Sequence, residues 1–75
     1  MTDIADTSSS IGSAVRERRR LLGLTQAEVA GLGEVSRDTV VRVEADDGGI
    51  ALATLRRIAA AVGLEITFHP RYRDS

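Results

Sequence analysis

Cysteine and tryptophan are absent from the 75-residue sequence, and histidine occurs once. Without cysteine, neither a disulfide framework nor a thiolate metal site can form. The single histidine, His69, has no second histidine to complete a zinc shell and is expected at the surface. There is no glycine-rich phosphate loop, and so short a chain cannot enclose a substrate pocket. We therefore expect no enzyme, no metal and no cofactor.

Long apolar runs are also missing. No stretch approaches the roughly 20 apolar residues of a membrane span. Residues 1–10 lack the basic start and the apolar run of a secretory signal. The sequence therefore predicts a cytoplasmic protein with no membrane partner.

The chain is too short for two cores, so it forms one domain. A domain near this size buries only about 60% of its unfolded surface and is marginally stable alone. Since disulfides are excluded, a second subunit is the expected source of additional burial.

Lysine is lacking too. The ten basic residues are all arginine, and eleven acidic residues leave a net charge of −1. The rigid donor fork of arginine suits phosphates and guanine edges, although exclusive use of arginine is also typical of a GC-rich genome. The position of the charges, rather than their sum, decides whether nucleic acid is a partner.

Two helices are predicted in the first half of the chain. Residues 10–22 have helical apolar spacing, and Gly23 supplies the left-handed residue that ends such a helix. Thr25 and Glu28 form a capping box, in which each side chain accepts a hydrogen bond from the other residue's amide. This box begins a short second helix that runs to about Leu32.

Two further helices follow. Ser36 is a good N-cap for a third helix over residues 37–45. After a turn with two adjacent glycines, apolar periodicity from Leu52 predicts a fourth helix that Gly63 closes. The aliphatic stripes of these helices are expected in the core: Val40, Val43, Leu55, Ile58 and Val62.

The two ends of the chain differ from the helical part, residues 11–69. Residues 1–10 are polar and are expected to form a disordered arm, and residues 70–75 a flexible tail. Residues 64–68 alternate apolar and polar side chains, which predicts a strand. A lone strand needs a partner, so we expect it to pair with its own copy across a two-fold axis. The dimerisation residues would then be Leu64, Ile66 and Phe68.

Two capped helices joined by a short turn form a plausible helix-turn-helix. The segments LTQAEVA at 24–30 and VSRDTVVRVE at 35–44 resemble the phage repressor/Cro (XRE) helix-turn-helix family, and the resemblance covers about residues 11–62. It implies an all-α, lambda-repressor-like four-helix domain that places its third helix in the major groove of double-stranded DNA. The expected function is a sequence-specific, nucleoid-associated transcriptional repressor.

The resemblance also implies the DNA-binding residues, which are Gln26, Ser36, Arg37, Asp38, Thr39, Val41 and Arg42. Gln26 would contact a phosphate at the start of the second helix. The two arginines would hold guanine, Asp38 would accept from cytosine, and Val41 would touch a thymine methyl.

By the same resemblance, Arg19 forms a partly buried salt bridge with Glu44 that fixes the recognition helix against the first helix. Two residues depart from the family's pattern. Glu34 stands where the turn usually has glycine, so either Glu34 or the preceding Gly33 must absorb the bend. Ala51 replaces the small polar cap of the last helix and cannot accept from its free amides.

Beyond the motif, LATLRRI at 52–58 and GLEI at 63–66 are similar to the HipB-like antitoxins. In that subfamily a C-terminal strand pairs between subunits, and the protein represses its own operon and neutralises a toxin encoded beside it. The implied partners are therefore a palindromic operator, a second copy of the chain and a cognate toxin. Two alternatives are a stand-alone XRE regulator and, given the net charge, a protein-binding module with weak DNA affinity.

Overall fold

The computed structural model describes residues 10–70. Its helices are α1 (Ile11–Leu21), α2 (Gln26–Gly33), α3 (Arg37–Glu44) and α4 (Leu52–Ala61). All four predicted helices are confirmed, with ends within one residue of those expected. The predicted arm and tail lie outside the described residues apart from Ser10 and Pro70.

Side-chain caps begin the first three helices. Ser10 accepts from the amide of Ser13, and Ser36 accepts from the amide of Thr39. The capping box of α2 is complete, since Thr25 and Glu28 each accept from the other's amide. The start of α4 has no side-chain cap, as expected from Ala51.

The core consists of small and medium aliphatic side chains. Helix α2 packs against α3 and α4, and α1 packs against α3. The buried apolar residues are Val15, Val29, Ala30, Val40, Val43, Ile58, Ala59 and Val62. Leu55, predicted as core, is half-buried and packs against this cluster. Between residues 10 and 70 no polar or charged residue is fully buried.

Helix α1 approaches the end of α3 so closely that only glycine fits at position 12. A Cβ atom on Gly12 would lie 2.5 Å from the carbonyl oxygen of Val43 and 2.9 Å from that of Glu44. The Gly12 amide donates to Asp46 Oδ1 at 3.0 Å, which satisfies one of the free amides at the start of α1. Asp46 adopts φ 59°, in the left-handed region. This contact anchors α1 to the residues that follow α3.

Two arginines join α4 to the rest of the domain. Arg18 Nε donates to the carbonyl oxygen of Val62 at 3.1 Å, where a cation also complements the helix C-terminus. Arg57 Nη2 donates to the carbonyl oxygen of Glu34 at 3.1 Å. The ends of α1, α2 and α4 are therefore held together by hydrogen bonds as well as by apolar packing.

The segment after α4 carries no strand in the part of the chain that the structure describes. The amide of Leu64 donates to Ala59 at 2.8 Å, and Leu64 packs on the core. From residue 65 to residue 70, no backbone hydrogen bond joins the segment to the other described residues. The predicted strand needs a partner backbone, which a single chain does not supply. Its pairing across a dimer stays a prediction.

None of the helices between residues 10 and 70 has the length and apolar character that crossing a membrane requires.

The close approach at Gly12 predicts opposite effects for two glycine-to-alanine substitutions. Gly12→Ala forces the backbones of α1 and α3 apart and should lower the free energy of unfolding by about 1–3 kcal/mol. Gly31→Ala, also in a helix but with nothing within 4 Å of its Cβ position, should raise it by about 0.5–1 kcal/mol. Urea unfolding followed by circular dichroism measures both. A Gly12→Ala protein as stable as Gly31→Ala would contradict the helix contact.

Candidate nucleic-acid interface

The turn between α2 and α3 is made by Glu34 rather than by glycine. Glu34 takes the left-handed conformation, with φ 58° and ψ 46°. The amide of Val35 then reaches back to the carbonyl oxygen of Ala30 at 3.0 Å. Gly33 stays helical and buried, and a Cβ there would lie 3.4 Å from the carbonyl oxygen of Arg57. Glu34 therefore absorbs the bend at a cost of roughly 1–2 kcal/mol, and Gly33 lies where α2 packs on α4.

Helix α3 buries one face and exposes the other. Val40 and Val43 are buried in the core, whereas Arg37, Asp38 and Arg42 are exposed. This arrangement leaves the charged side chains on the surface of a rigidly packed helix, where they are free to reach a ligand.

The remaining predicted residues of α3 are less accessible. Val41 and Thr39 are half-buried. The Thr39 hydroxyl lies 2.8 Å from that of Ser36, and Ser36 also caps the helix. Ser36 and Thr39 therefore have clear structural roles at the start of α3, in addition to their predicted contact with DNA.

Arg19 and Glu44 form a bidentate ion pair. Arg19 Nε and Nη2 donate to the two carboxylate oxygens at 2.6 and 3.0 Å, and Nη1 donates to the carbonyl oxygen of Leu24 at 3.0 Å. The side chains are only 13% and 5% exposed, so the pair is largely shielded from water. It joins α1 to the last residue of α3.

Burial and hydrogen bonding act on the Glu44 carboxyl in opposite directions. Burial raises its pKa, but the hydrogen bonds from Arg19 and Gln26 and the charges of Arg19 and Arg16 outweigh burial and hold the pKa below its ordinary value. The hydrogen bond to Glu44 raises the pKa of Arg19 in turn. Both groups therefore remain charged at neutral pH.

Gln26 is tied into the same network. Its Nε2 donates to Glu44 Oε1 at 3.2 Å, and its Oε1 accepts from Arg37 Nη2 at 3.4 Å. The sequence predicts a phosphate contact for Gln26 but gives no sign of these bonds. They connect the first residue of α2 with both ends of α3.

The arginine cluster of α1 divides into two pairs. Arg18 and Arg19 are half-buried and bonded within the domain, whereas Arg16 and Arg20 are exposed one turn apart. Arg16 and Arg20 line an open groove with Gln26 and with Arg37 of α3. The sequence shows four arginines between residues 16 and 20 but does not single out this exposed pair.

The chain was compared with known proteins. A family model described as Helix-turn-helix matches residues 15–69. The chain belongs to the XRE-type helix-turn-helix family. Comparison with curated proteins finds no match. This family membership makes the chain a DNA-binding regulator of the XRE type.

The contact of Asp47 with Arg42 of α3 was not predicted from the sequence. Arg42 Nε donates to Asp47 Oδ2 at 3.0 Å, and Asp47 Oδ1 accepts from the amide of Gly49 at 2.9 Å. The hydrogen bond from Arg42, followed by that from Gly49, lowers the pKa of Asp47. The sequence shows only two aspartates in a turn, which is ordinary turn composition.

The Arg19–Glu44 pair predicts a pH-dependent stability. Glu44→Gln leaves Arg19 without its counter-charge and should lower the free energy of unfolding by about 3 kcal/mol at pH 7. Because the folded-state pKa of Glu44 is depressed, the contribution of its charge to the free energy of unfolding is present above the pKa of the unfolded chain. It is lost as the pH falls through the folded-state pKa. The difference between wild type and Glu44→Gln should therefore narrow in acid.

Urea unfolding at several pH values measures this difference. Asp47→Asn serves as the control, since the side chains of the Arg42–Asp47 pair are 44% and 41% exposed and solvent screens the pair. It should leave the stability unchanged at neutral pH. A constant difference between wild type and Glu44→Gln down to strongly acidic pH would contradict a charged Glu44 in the folded protein.

Proposed function

We propose that this protein is a sequence-specific transcriptional repressor that binds DNA as a homodimer. The observation that carries the proposal is the division of α3 into a face buried by Val40 and Val43 and an opposite face carrying Arg37, Asp38 and Arg42. A helix held in this way presents its charged face at the domain surface, where it can enter the major groove of B-form DNA.

The exposed residues of α3 have the chemistry for reading bases. Arg37 and Arg42 each carry a guanidinium that can donate two parallel hydrogen bonds to the O6 and N7 atoms of guanine. Asp38 can accept from the amino group of cytosine. The half-buried Val41 offers a methyl surface for thymine.

Phosphate contacts would come from the adjacent groove. Arg16 and Arg20 are exposed on its α1 side, and the α2 N-terminus lies in its wall. Within residues 10–70 the amides of Gln26 and Ala27 have no hydrogen-bond acceptor, so they remain available to a phosphate oxygen. The Gln26 side chain can also bind the phosphate if its Nε2 donates to a phosphate oxygen instead of to Glu44.

The charge distribution supports DNA as the partner despite the net charge of −1. Arg16, Arg20 and Arg37 all line the groove. Its acidic lining residue, Glu44, is already paired with Arg19. The groove is therefore locally positive, and it is the local potential that attracts a phosphate backbone.

The C-terminal segment supports the dimer. Phe68 is 69% exposed, with the Arg56 guanidinium 5.9 Å from its ring centre, and Ile66 is half-buried. The backbone of residues 65–70 makes no backbone hydrogen bond to the other described residues. Antiparallel pairing with a second copy would satisfy these groups and cover Phe68. A two-fold dimer would present two copies of α3 to successive major grooves of a palindromic operator, about 34–36 Å apart.

The antitoxin role rests on the resemblance of residues 52–58 and 63–66 to the HipB-like proteins. Co-purification with the product of a neighbouring gene distinguishes an antitoxin from a stand-alone regulator. A module that mainly binds protein would instead bind DNA weakly and without sequence preference.

Arginine substitutions separate base reading from phosphate binding. On a duplex selected by the wild-type protein from a random-sequence library, Arg37→Ala and Arg42→Ala should each weaken binding by about tenfold more than on random DNA. Arg16→Ala and Arg20→Ala are the controls and should weaken binding to both duplexes equally. Each should also reduce the slope of log affinity against log salt by roughly one.

Fluorescence anisotropy over a range of salt concentrations measures these effects. Equal losses on both duplexes for Arg37→Ala and Arg42→Ala would exclude base reading by α3. A wild-type protein that selects no sequence would exclude a sequence-specific repressor.

The dimer is tested at Ile66. Within the described residues the Ile66 amide makes no backbone hydrogen bond, so Ile66→Pro removes no bond from the single chain. It does remove a donor that a paired strand would use. We expect Ile66→Pro to be monomeric by light scattering, with the helical circular dichroism of wild type. A folded Ile66→Pro protein that stays dimeric would exclude pairing through this segment.

A further inference from the structure

The exposed ion pair between Arg42 and Asp47 joins the recognition helix to the turn that follows it. The carboxylate of Asp47 is fixed at both oxygens, one by Arg42 Nε at 3.0 Å and the other by the amide of Gly49 at 2.9 Å. The amide of Asp47 also donates to the carbonyl oxygen of Arg42 at 3.0 Å. Asp47 is therefore held in place by its own amide and by the amide of Gly49, independently of its contact with the guanidinium.

This geometry leaves the outer end of Arg42 available. Within residues 10–70, Nε is the only Arg42 guanidinium nitrogen that donates a hydrogen bond, so Nη1 and Nη2 keep their protons for another acceptor. A Cβ at position 49 would lie 3.4 Å from Arg42 Nη2, so the glycine turn runs directly beside the guanidinium. Asp38 contributes a weaker charge attraction to Arg42 from one turn earlier in α3.

Stability does not account for this pair. Both side chains are over two-fifths exposed, at 44% and 41%, and an ion pair in that setting is screened by solvent. A long arginine side chain normally loses considerable rotamer freedom when it binds a base, and a preformed contact at Nε removes part of that loss before DNA arrives.

We propose that Asp47 is a specificity-determining positioning residue, which holds Arg42 through Nε so that its two terminal nitrogens meet guanine end-on. The proposal rests on the proposed DNA-binding function. With Nε occupied, Arg42 cannot use the Nε and Nη2 edge for a base, so one of its two bidentate modes is removed. The remaining mode directs two parallel donors at O6 and N7 of one guanine.

The test compares the sequences selected from a random duplex library by wild type, Arg42→Ala and Asp47→Asn. The position at which Arg42→Ala loses a guanine preference identifies the base that Arg42 reads. Asp47→Asn should lower the preference for guanine at that same position by about fivefold or more, because the amide does not hold the guanidinium as a carboxylate does. Preferences at the other positions should not change.

Glu17→Gln is the matched control, since it removes one negative charge from an exposed residue of α1. It should leave every base preference as in wild type. If Asp47→Asn instead raises affinity for all duplexes and keeps the guanine preference, Asp47 acts only by repelling phosphate and the proposal is wrong. If wild type selects no sequence, the proposed function fails, and the positioning role fails with it.

A measurement without DNA tests the contact itself. In the nuclear magnetic resonance spectrum of the free protein, the Arg42 Nε proton should exchange with water several-fold more slowly in wild type than in Asp47→Asn. The Arg19 Nε proton should be protected in both proteins, because Glu44 holds it. Equal exchange of the Arg42 proton in the two proteins would overturn the proposal whatever the DNA selection gives.

Discussion

The ion pair between Arg19 and Glu44 connects α1, α2 and α3, the three helices that line the groove beside α3. Arg19 extends from α1, Glu44 ends α3, and Gln26 at the start of α2 donates to the same carboxylate. Because the pair is bidentate and shielded, it fixes both the distance and the angle between its helices. A recognition helix must be held to within a fraction of an ångström to place side chains on base edges. The ion pair supplies this constraint at the C-terminal end of α3, and the Gly12–Asp46 contact reinforces it two residues further along the chain.

The arginines of this chain have distinct functions that their number does not reveal. Arg18 and Arg19 act within the fold, where they satisfy carbonyl groups and a buried carboxylate. Arg42 is exposed, and within residues 10–70 its guanidinium donates through Nε alone. A nearly neutral chain can still present a positive surface, because Arg16, Arg20 and Arg37 line one groove whose acidic residue, Glu44, is already paired with Arg19.

The helices, their caps and the buried valines could be predicted because their signals are local. Thr25 and Glu28 are three residues apart, and Val40 and Val43 show their common face in the sequence alone. The glycine at position 12 and the aspartate at position 46 could not be paired in this way, because they meet only when α1 packs on α3. The contact between Arg42 and Asp47 could not be predicted either, because in the sequence the first is an ordinary helix residue and the second an ordinary turn residue. Resemblance to a family, rather than spacing, led to Arg19 and Glu44.

The small core explains why these polar contacts matter. Its buried side chains are valine, alanine and one isoleucine, and the larger Leu21, Leu32 and Phe68 remain exposed. The free energy gained from apolar burial scales with the buried area. A core of small side chains therefore contributes little beyond the conformational entropy that folding must offset. The orientation of α3 then depends on hydrogen bonds and ion pairs. Because these bonds are directional, they restrict alternative orientations of the helix more than aliphatic packing does. The proposed pairing of the C-terminal segments would bury more apolar surface away from α3. The fold would then gain stability without a change in the geometry of α3.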